Sequence, residues 1–220
     1  MKKKSFAVIG LGRFGYSIVK ELANNNADVL AIDRSEENVS AVADFINNCA
    51  ICDSTKKKDL DELGIKSIDH VVVAIGNNLE ASILTTINLK ALGVKDITVR
   101  VDESDYKEIF KTLGATSVII PEEASAISLA NKMVSDTILD YYKIDSDYSI
   151  VQIKVGPNFK SKSIVDLGVR QNYAISIIGI IREGKFVMPN ASDMILNDDI
   201  LMVIGTKQNI RKFDSFVNGD

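Results

Sequence analysis

Phe6-Ala7-Val8-Ile9-Gly10-Leu11-Gly12-Arg13-Phe14-Gly15 decides how the rest of the chain is read. A short apolar run enters a G-x-G-x-x-G turn, and helix-forming residues follow from Phe14 to Asn25. Each glycine has its own reason. Gly10 permits a tight turn, Gly12 leaves no side chain where a diphosphate must approach the backbone, and Gly15 lets the helix lie close on the strand. The helix N-terminus adds unpaired N–H groups and about half a positive charge. Asp33 closes the second apolar run, 18 residues beyond Gly15. An acid there accepts hydrogen bonds from a ribose diol and repels a 2′-phosphate, which favours NAD(H), ATP or ADP over NADP. Arg34 tempers that exclusion.

Outward from this motif, β-branched runs alternate with helical stretches up to about residue 120, the pattern of an α/β fold with a Rossmann-like, doubly wound parallel sheet. Strands are expected at Ser5 to Gly10, Asp28 to Asp33, Cys49 to Asp53, His70 to Ile75, Ile97 to Val101 and Ser117 to Ile120. Val71-Val72-Val73-Ala74-Ile75 is apolar throughout, as a strand covered on both faces should be. After Pro121 the apolar spacing of Ile127, Ala130, Val134, Ile138 and Tyr141 predicts one long helix over Glu122 to Tyr142, broad enough to leave its own domain and pack on a second subunit. From about Asp145 a small α+β unit follows, with strands at Tyr148 to Val155, Ile175 to Arg182, Lys185 to Val187 and Ile200 to Ile204 and a turn at Glu183-Gly184. The expected boundaries are therefore 1–120, a crossover helix and linker over 121–144, and 145–220.

Composition narrows the function. The chain has 220 residues, 46% of them hydrophobic and 25% charged, with a net charge of −4. That excludes a disordered chain and gives no electrostatic footprint for nucleic acid. Residues 145–220 hold nine acids and nine bases, so no basic tail hides in the average. Apolar runs have strand length, too short to span a bilayer. Met1-Lys2-Lys3-Lys4 before Phe6-Ala7-Val8-Ile9 imitates a signal peptide, but Arg13 interrupts it and no cleavage site follows, so a soluble, cytoplasmic protein is expected. Cys49 and Cys52 sit on a strand at positions that face opposite sides, which suits packed thiols better than redox or zinc chemistry.

Further ligand contacts are expected at strand carboxyl ends, where this architecture binds ligands. Asp53 and Ser54 follow the third strand, Ile75, Gly76 and Asn77 close the fourth, and Arg100 closes the fifth. Taken singly, a helix-capping Asp53 or a solvated Arg100 serves as well. A dehydrogenase also needs an acid or base beside its cofactor and a substrate domain. His70, the only histidine, enters the fourth strand at the opposite edge and reads as structural. The fold is expected to bind a nucleotide without transforming it; an NAD(H)-dependent oxidoreductase and a nucleotide-sensing transcription factor are the competing readings.

The opening decapeptide, with Ala31-Ile32-Asp33, Val72-Val73-Ala74-Ile75-Gly76-Asn77 and Ile120-Pro121-Glu122, resembles the cytosolic regulatory subunits of bacterial potassium transporters, the KtrA/TrkA family. The N-terminal part looks like an RCK (TrkA-N) domain. Tyr148 to Phe216 looks like a TrkA-C domain, through Ser161-Lys162-Ser163-Ile164 and Asp166-Leu167-Gly168-Val169-Arg170. The resemblance implies a homodimer assembling into an octameric ring beneath an integral-membrane pore subunit of the KtrB/TrkH kind, at the inner face of the membrane. It implies that ATP and ADP favour different ring shapes, that Arg13 reaches the terminal phosphate, and that Glu122 helps place a Mg or Ca ion there. It also implies cyclic di-AMP between paired C-terminal domains, near Ile164, Arg170, Ile175, Ile177 and Pro189; small apolar residues in a domain this size serve equally as core.

Overall fold

Six short apolar runs lie side by side in the computed structural model, which describes residues 4–219. They alternate with helices: β1 (Ser5–Ile9), α1 (Arg13–Asn24), β2 (Asp28–Asp33), α2 (Glu36–Ala43), β3 (Asn48–Ile51), α3 (Lys57–Glu62), β4 (His70–Val73), α4 (Leu79–Ala91), β5 (Ile97–Arg100), α5 (Tyr106–Leu113) and β6 (Ser117–Ile119). All pairings are parallel, in the order β3-β2-β1-β4-β5-β6, so the strand order reverses between β1 and β4. Successive residues feed opposite faces. Ala7, Ile9, Val71 and Val73 join Leu89 of α4 and Phe110 of α5 in one core, while Val8, Val72 and Ala31 join Val19 of α1 and Val39 and Val42 of α2 in another. This explains the unbroken apolar runs: both pleat directions end in a core. Cys49 packs with the second core and Cys52 with the first, and neither is in a disulfide. The Met1-Lys2-Lys3 start of the signal-like stretch lies outside the described residues.

One compact unit runs Met1–Glu122 and another Glu123–Asp220. α6 (Pro121–Met133) opens the passage between them, and here the structure corrects the sequence reading. The helix ends at Met133, and Ile138–Lys143 forms strand β7. β7 pairs antiparallel with β8 (Tyr148–Lys154), and a bulge interrupts the register between Ile138 and Asp140. A regular strand would turn Ile138 and Tyr141 to opposite faces; the extra bulged residue lets both pack against the second core. Their spacing of three, read as helical, is thus produced by a strand.

The second unit continues through β9 (Lys162–Ser163), α7 (Ile164–Leu167), α8 (Val169–Tyr173), β10 (Ser176–Arg182), β11 (Lys185–Val187), β12 (Met194–Ile195), β13 (Ile200–Thr206) and α9 (Lys207–Asn218). Its main sheet is antiparallel in the order β11-β10-β13-β8-β7, with β12 and β9 as a separate pair. Alternate residues Val151, Ile153, Leu201 and Val203 face inward, and Ile210, Phe213 and Val217 of α9 cover them at helical spacing. No helix among the described residues is long and apolar enough to cross a membrane.

Candidate functional site

The glycine turn behaves as its sequence requires. Gly10 holds φ +93°, and a Cβ there would sit 3.0 Å from the Ala74 carbonyl carbon. A Cβ on Gly15 would lie 1.8 Å from the Gly10 carbonyl oxygen, so this glycine is needed for the helix to sit on the strand. Gly12 is different. A Cβ there meets nothing within 4 Å, because the position opens on a cavity of about 790 Å³ at the carboxyl ends of the strands. Space beside the N-terminus of α1, with no protein atom to fill it, is what an entering anion needs.

Gly10, Gly12, Arg13, Phe14, Asp33, Arg34, Asp53, Ser54, Ile75, Gly76, Asn77, Arg100 and Glu122 all line this cavity. Of the N-terminal candidates only Gly15 does not. Asn38, Cys52, Thr55, Asn78 and Ala81 line it too; of these, Asn38 and Thr55 carry no motif that would single them out.

Asp33 is buried, with its carboxylate already engaged. It accepts the Leu11 N–H at 2.6 Å, the Ser35 N–H at 2.8 Å and the Asn38 side-chain amide at 3.2 Å, so it organises the glycine turn as well as facing the cavity. Asp53 accepts both the backbone N–H and the hydroxyl of Thr55, and the hydroxyl bond holds its carboxyl below the usual range. The Ser54 hydroxyl pairs with Thr85 at 2.7 Å. Ser54 therefore offers a ligand mostly backbone, while Asp53 keeps Oδ2 outside those bonds, 3.6 Å from Lys56 Nζ. α4 fixes both flanking loops: Asn88 donates to the carbonyls of Ser54 and Thr55, Ser82 donates to the Ile75 carbonyl, and Asn78 caps the helix. Burial pushes the Cys52 thiol up to about 11, with Asp59 and Asp53 adding to it.

Arg100 is not a solvated strand end. Its side chain is 16% exposed, passes over the Phe14 ring with 5.8 Å to the centroid, and bonds Glu122 at 2.7 Å and Asp102 at 2.9 Å. A Cβ on Gly76 would come within 2.1 Å of its guanidinium, so Gly76 makes room for it. Its buried Nε–H has no partner among the described residues. Glu122 lies in the first turn of α6; its own N–H, then Arg100 and Arg13, hold its carboxyl below the ordinary value. No group of three metal-ligating side chains occurs among the described residues, so an ion at Glu122 would draw its remaining ligands from phosphate oxygens and water. His70 is at the amino end of β4, Nδ1 2.8 Å from Asp96 and Nε2 3.0 Å from the Thr98 hydroxyl, and does not line the cavity.

In the second unit Ile175 is 2% exposed and belongs to the core, and Ile164 and Ile177 pack against it. Only Arg170, whose Nε donates to Ser176, is fully at the surface, with Pro189 partly covered. Ile175 as a surface contact is thus not what the structure presents.

A strand order reversing beside a glycine turn, an acid at the end of β2 and a separate small antiparallel unit define a Rossmann-like fold of the RCK kind. The TrkA-N domain family matches residues 6–121 and the TrkA-C domain family residues 148–218, and the chain belongs to the KtrA/TrkA family of RCK subunits. It is 41% identical to Ktr system potassium uptake protein C of Bacillus subtilis over 217 residues, 98% of each chain, and 38% identical to Ktr system potassium uptake protein A of that organism over 98% of this chain and 97% of the relative. Its fold superposes on the GsuK channel bound to NAD with a TM-score of 0.68 at 16% identity, covering 99% of this chain but 40% of the longer GsuK chain.

Proposed function

We propose that the chain is a non-enzymatic, nucleotide-responsive gating subunit of a potassium uptake system. Residues 1–120 bind ATP or ADP, or NAD(H); residues 121–144 link to a TrkA-C domain over 145–220. The bound nucleotide selects between shapes of a homo-oligomeric ring, an octamer built of dimers, that acts on a KtrB/TrkH-like pore subunit from the cytoplasmic face of the membrane. The observation that carries this reading is the cavity at Gly12: open to a phosphate, flanked by Arg13, Arg34 and Arg100, and bounded by Asp33.

The charges give the reading its logic. A γ-phosphate adds negative charge beside Arg13 and Arg100, and the Arg100–Glu122 ion pair is the contact it would contest, or bridge through a Mg or Ca ion. A ligand shifts a shape equilibrium only by its differential affinity for the two shapes, and contacts made by one phosphate more are such a difference. Cyclic di-AMP at the second unit would rely on Arg170 and Pro189, with Ile164 and Ile177 at the margin and Ile175 supporting from the core.

Thermal stabilisation by ATP, ADP, NAD and NADH tests this, with Arg13→Ala alongside. ATP and ADP should stabilise the wild type, and Arg13→Ala should narrow the gap between them while ADP binding persists. Equal loss of both ligands would remove Arg13 from γ-phosphate sensing, and hydride transfer from NADH to a carbonyl panel would overturn the non-enzymatic reading.

A further inference from the structure

Asp33 by itself has too few free positions to hold both hydroxyls of a ribose diol. A carboxylate offers about four lone-pair positions, two on each oxygen. Oδ2 accepts from the Leu11 N–H and the Asn38 amide, and Oδ1 accepts from the Ser35 N–H. One position on Oδ1 is left. The Leu11 bond is the shortest of the three and belongs to the glycine turn itself, so a ligand cannot displace it without opening the cradle.

We infer that Asn38 supplies the second acceptor, its side-chain carbonyl oxygen taking one ribose hydroxyl while Asp33 Oδ1 takes the other. Chemistry fixes the orientation of this amide. A carboxylate only accepts, so the Asn38 NH2 must face Asp33, and the carbonyl oxygen is the group left over. Among the hydrogen bonds of the described residues that oxygen takes part in none, and Asn38 lines the cavity beside Asp33 and Arg34. Asn38 lies in the first turn of α2, and Ser35 caps its backbone N–H, so the helix end holds the side chain in place. Asn38 is thereby a specificity-determining residue. It separates ribonucleotides from deoxyribonucleotides because an analogue lacking its hydroxyl leaves a desolvated amide oxygen unpaired.

The inference rests on the nucleotide reading of the cavity. Its test is isothermal titration of ADP, 2′-deoxy-ADP and 3′-deoxy-ADP into the full chain and into Asn38→Ala. The substitution keeps the backbone N–H bonded to Ser35, and alanine suits a helical position, so the unliganded melting temperature serves as the folding control. The wild type should weaken for each analogue, by roughly three- to tenfold for the hydroxyl on the neutral amide. Asn38→Ala should abolish one of these two penalties and keep the other. Loss of both would mean that Asn38 acts only by positioning Asp33, and loss of neither that it does not meet the ribose; either overturns the assignment alone. A wild type that binds no adenine nucleotide overturns the reading of the cavity and the assignment with it.

Discussion

Gly12→Ala separates the ligand's need for a glycine from the fold's need for one. The position has φ −64° and ψ −174°, which alanine adopts freely, and its Cβ would touch no protein atom. Replacing glycine at a compatible site stabilises by about 0.4 to 1 kcal/mol through the unfolded chain. Gly12 is also the N-cap of α1, where alanine is the poorer residue by up to about 1 kcal/mol. These oppose each other, so the unliganded melting temperature should stay within about 4 °C of wild type for a chain of this size. The ligand term is larger. A nucleotide at a hundred times its Kd stabilises by about 2.7 kcal/mol, or roughly 5 to 10 °C. The new methyl occupies the approach of the diphosphate, and that shift should vanish. Differential scanning fluorimetry with and without ADP measures both quantities on one plate. A nucleotide-induced shift that survives in Gly12→Ala would show that the diphosphate does not lie against this turn, and the reasoning from the glycines would fail.

The neighbouring Gly15→Ala should do the reverse: its methyl meets the backbone oxygen of Gly10, so the unliganded protein should lose several degrees, and a wild-type melting curve would refute the packing role. With its thiol pushed from 9.0 to about 11, Cys52 holds about 100-fold less thiolate at neutral pH than an ordinary cysteine. Mass-resolved alkylation at pH 7.5 should therefore find it slow; labelling at the rate of a free peptide thiol would contradict this. The Asp96 carboxyl is held below its ordinary value by the Thr116 hydroxyl and then by His70. A depressed acid contributes stability that is present above its unfolded value of about 3.9 and lost as pH falls through the folded value. Melting curves of Asp96→Asn and wild type should differ at pH 7 and draw together as pH falls below the ordinary carboxylate value of about 3.9, and a gap independent of pH would exclude the ionised carboxylate as its source.

The cradle was legible because its parts are local. A glycine motif, the strand before it and an acid at fixed spacing all follow from backbone geometry within one β-α-β passage, and Cys49 and Cys52 fall on opposite faces because a strand has period two. Asn38 was not legible. Nothing in its own neighbourhood marks it, and it reaches Asp33 and the cavity only because the first turn of α2 folds back onto the end of β2. The span after Met133 misled for a related reason: a bulged strand and a helix can place apolar residues at the same spacing, and only the partner strand β8 decides between them.

Arg100 and Gly76 carry the same point into the site itself. Read in order along the chain, Gly76 follows an apolar strand at the ligand edge, and a glycine there suggests room for a ligand. In the folded chain the room is taken by the Arg100 guanidinium, which arrives from the next strand, lies over Phe14 and ends on Glu122. Glycine at 76 therefore makes room beside the cavity for a cation whose Nε–H is buried without a partner among the described residues. A cation so placed has an ion pair to the first turn of α6 on one side and the cavity on the other, so under the proposed function the charge of an entering phosphate would be felt at the start of that helix. Arg100 and Glu122 lie 24 and 46 positions beyond Gly76 in sequence and meet it only through the parallel order of β4, β5 and β6, which is why a reading strand by strand passes over the arrangement.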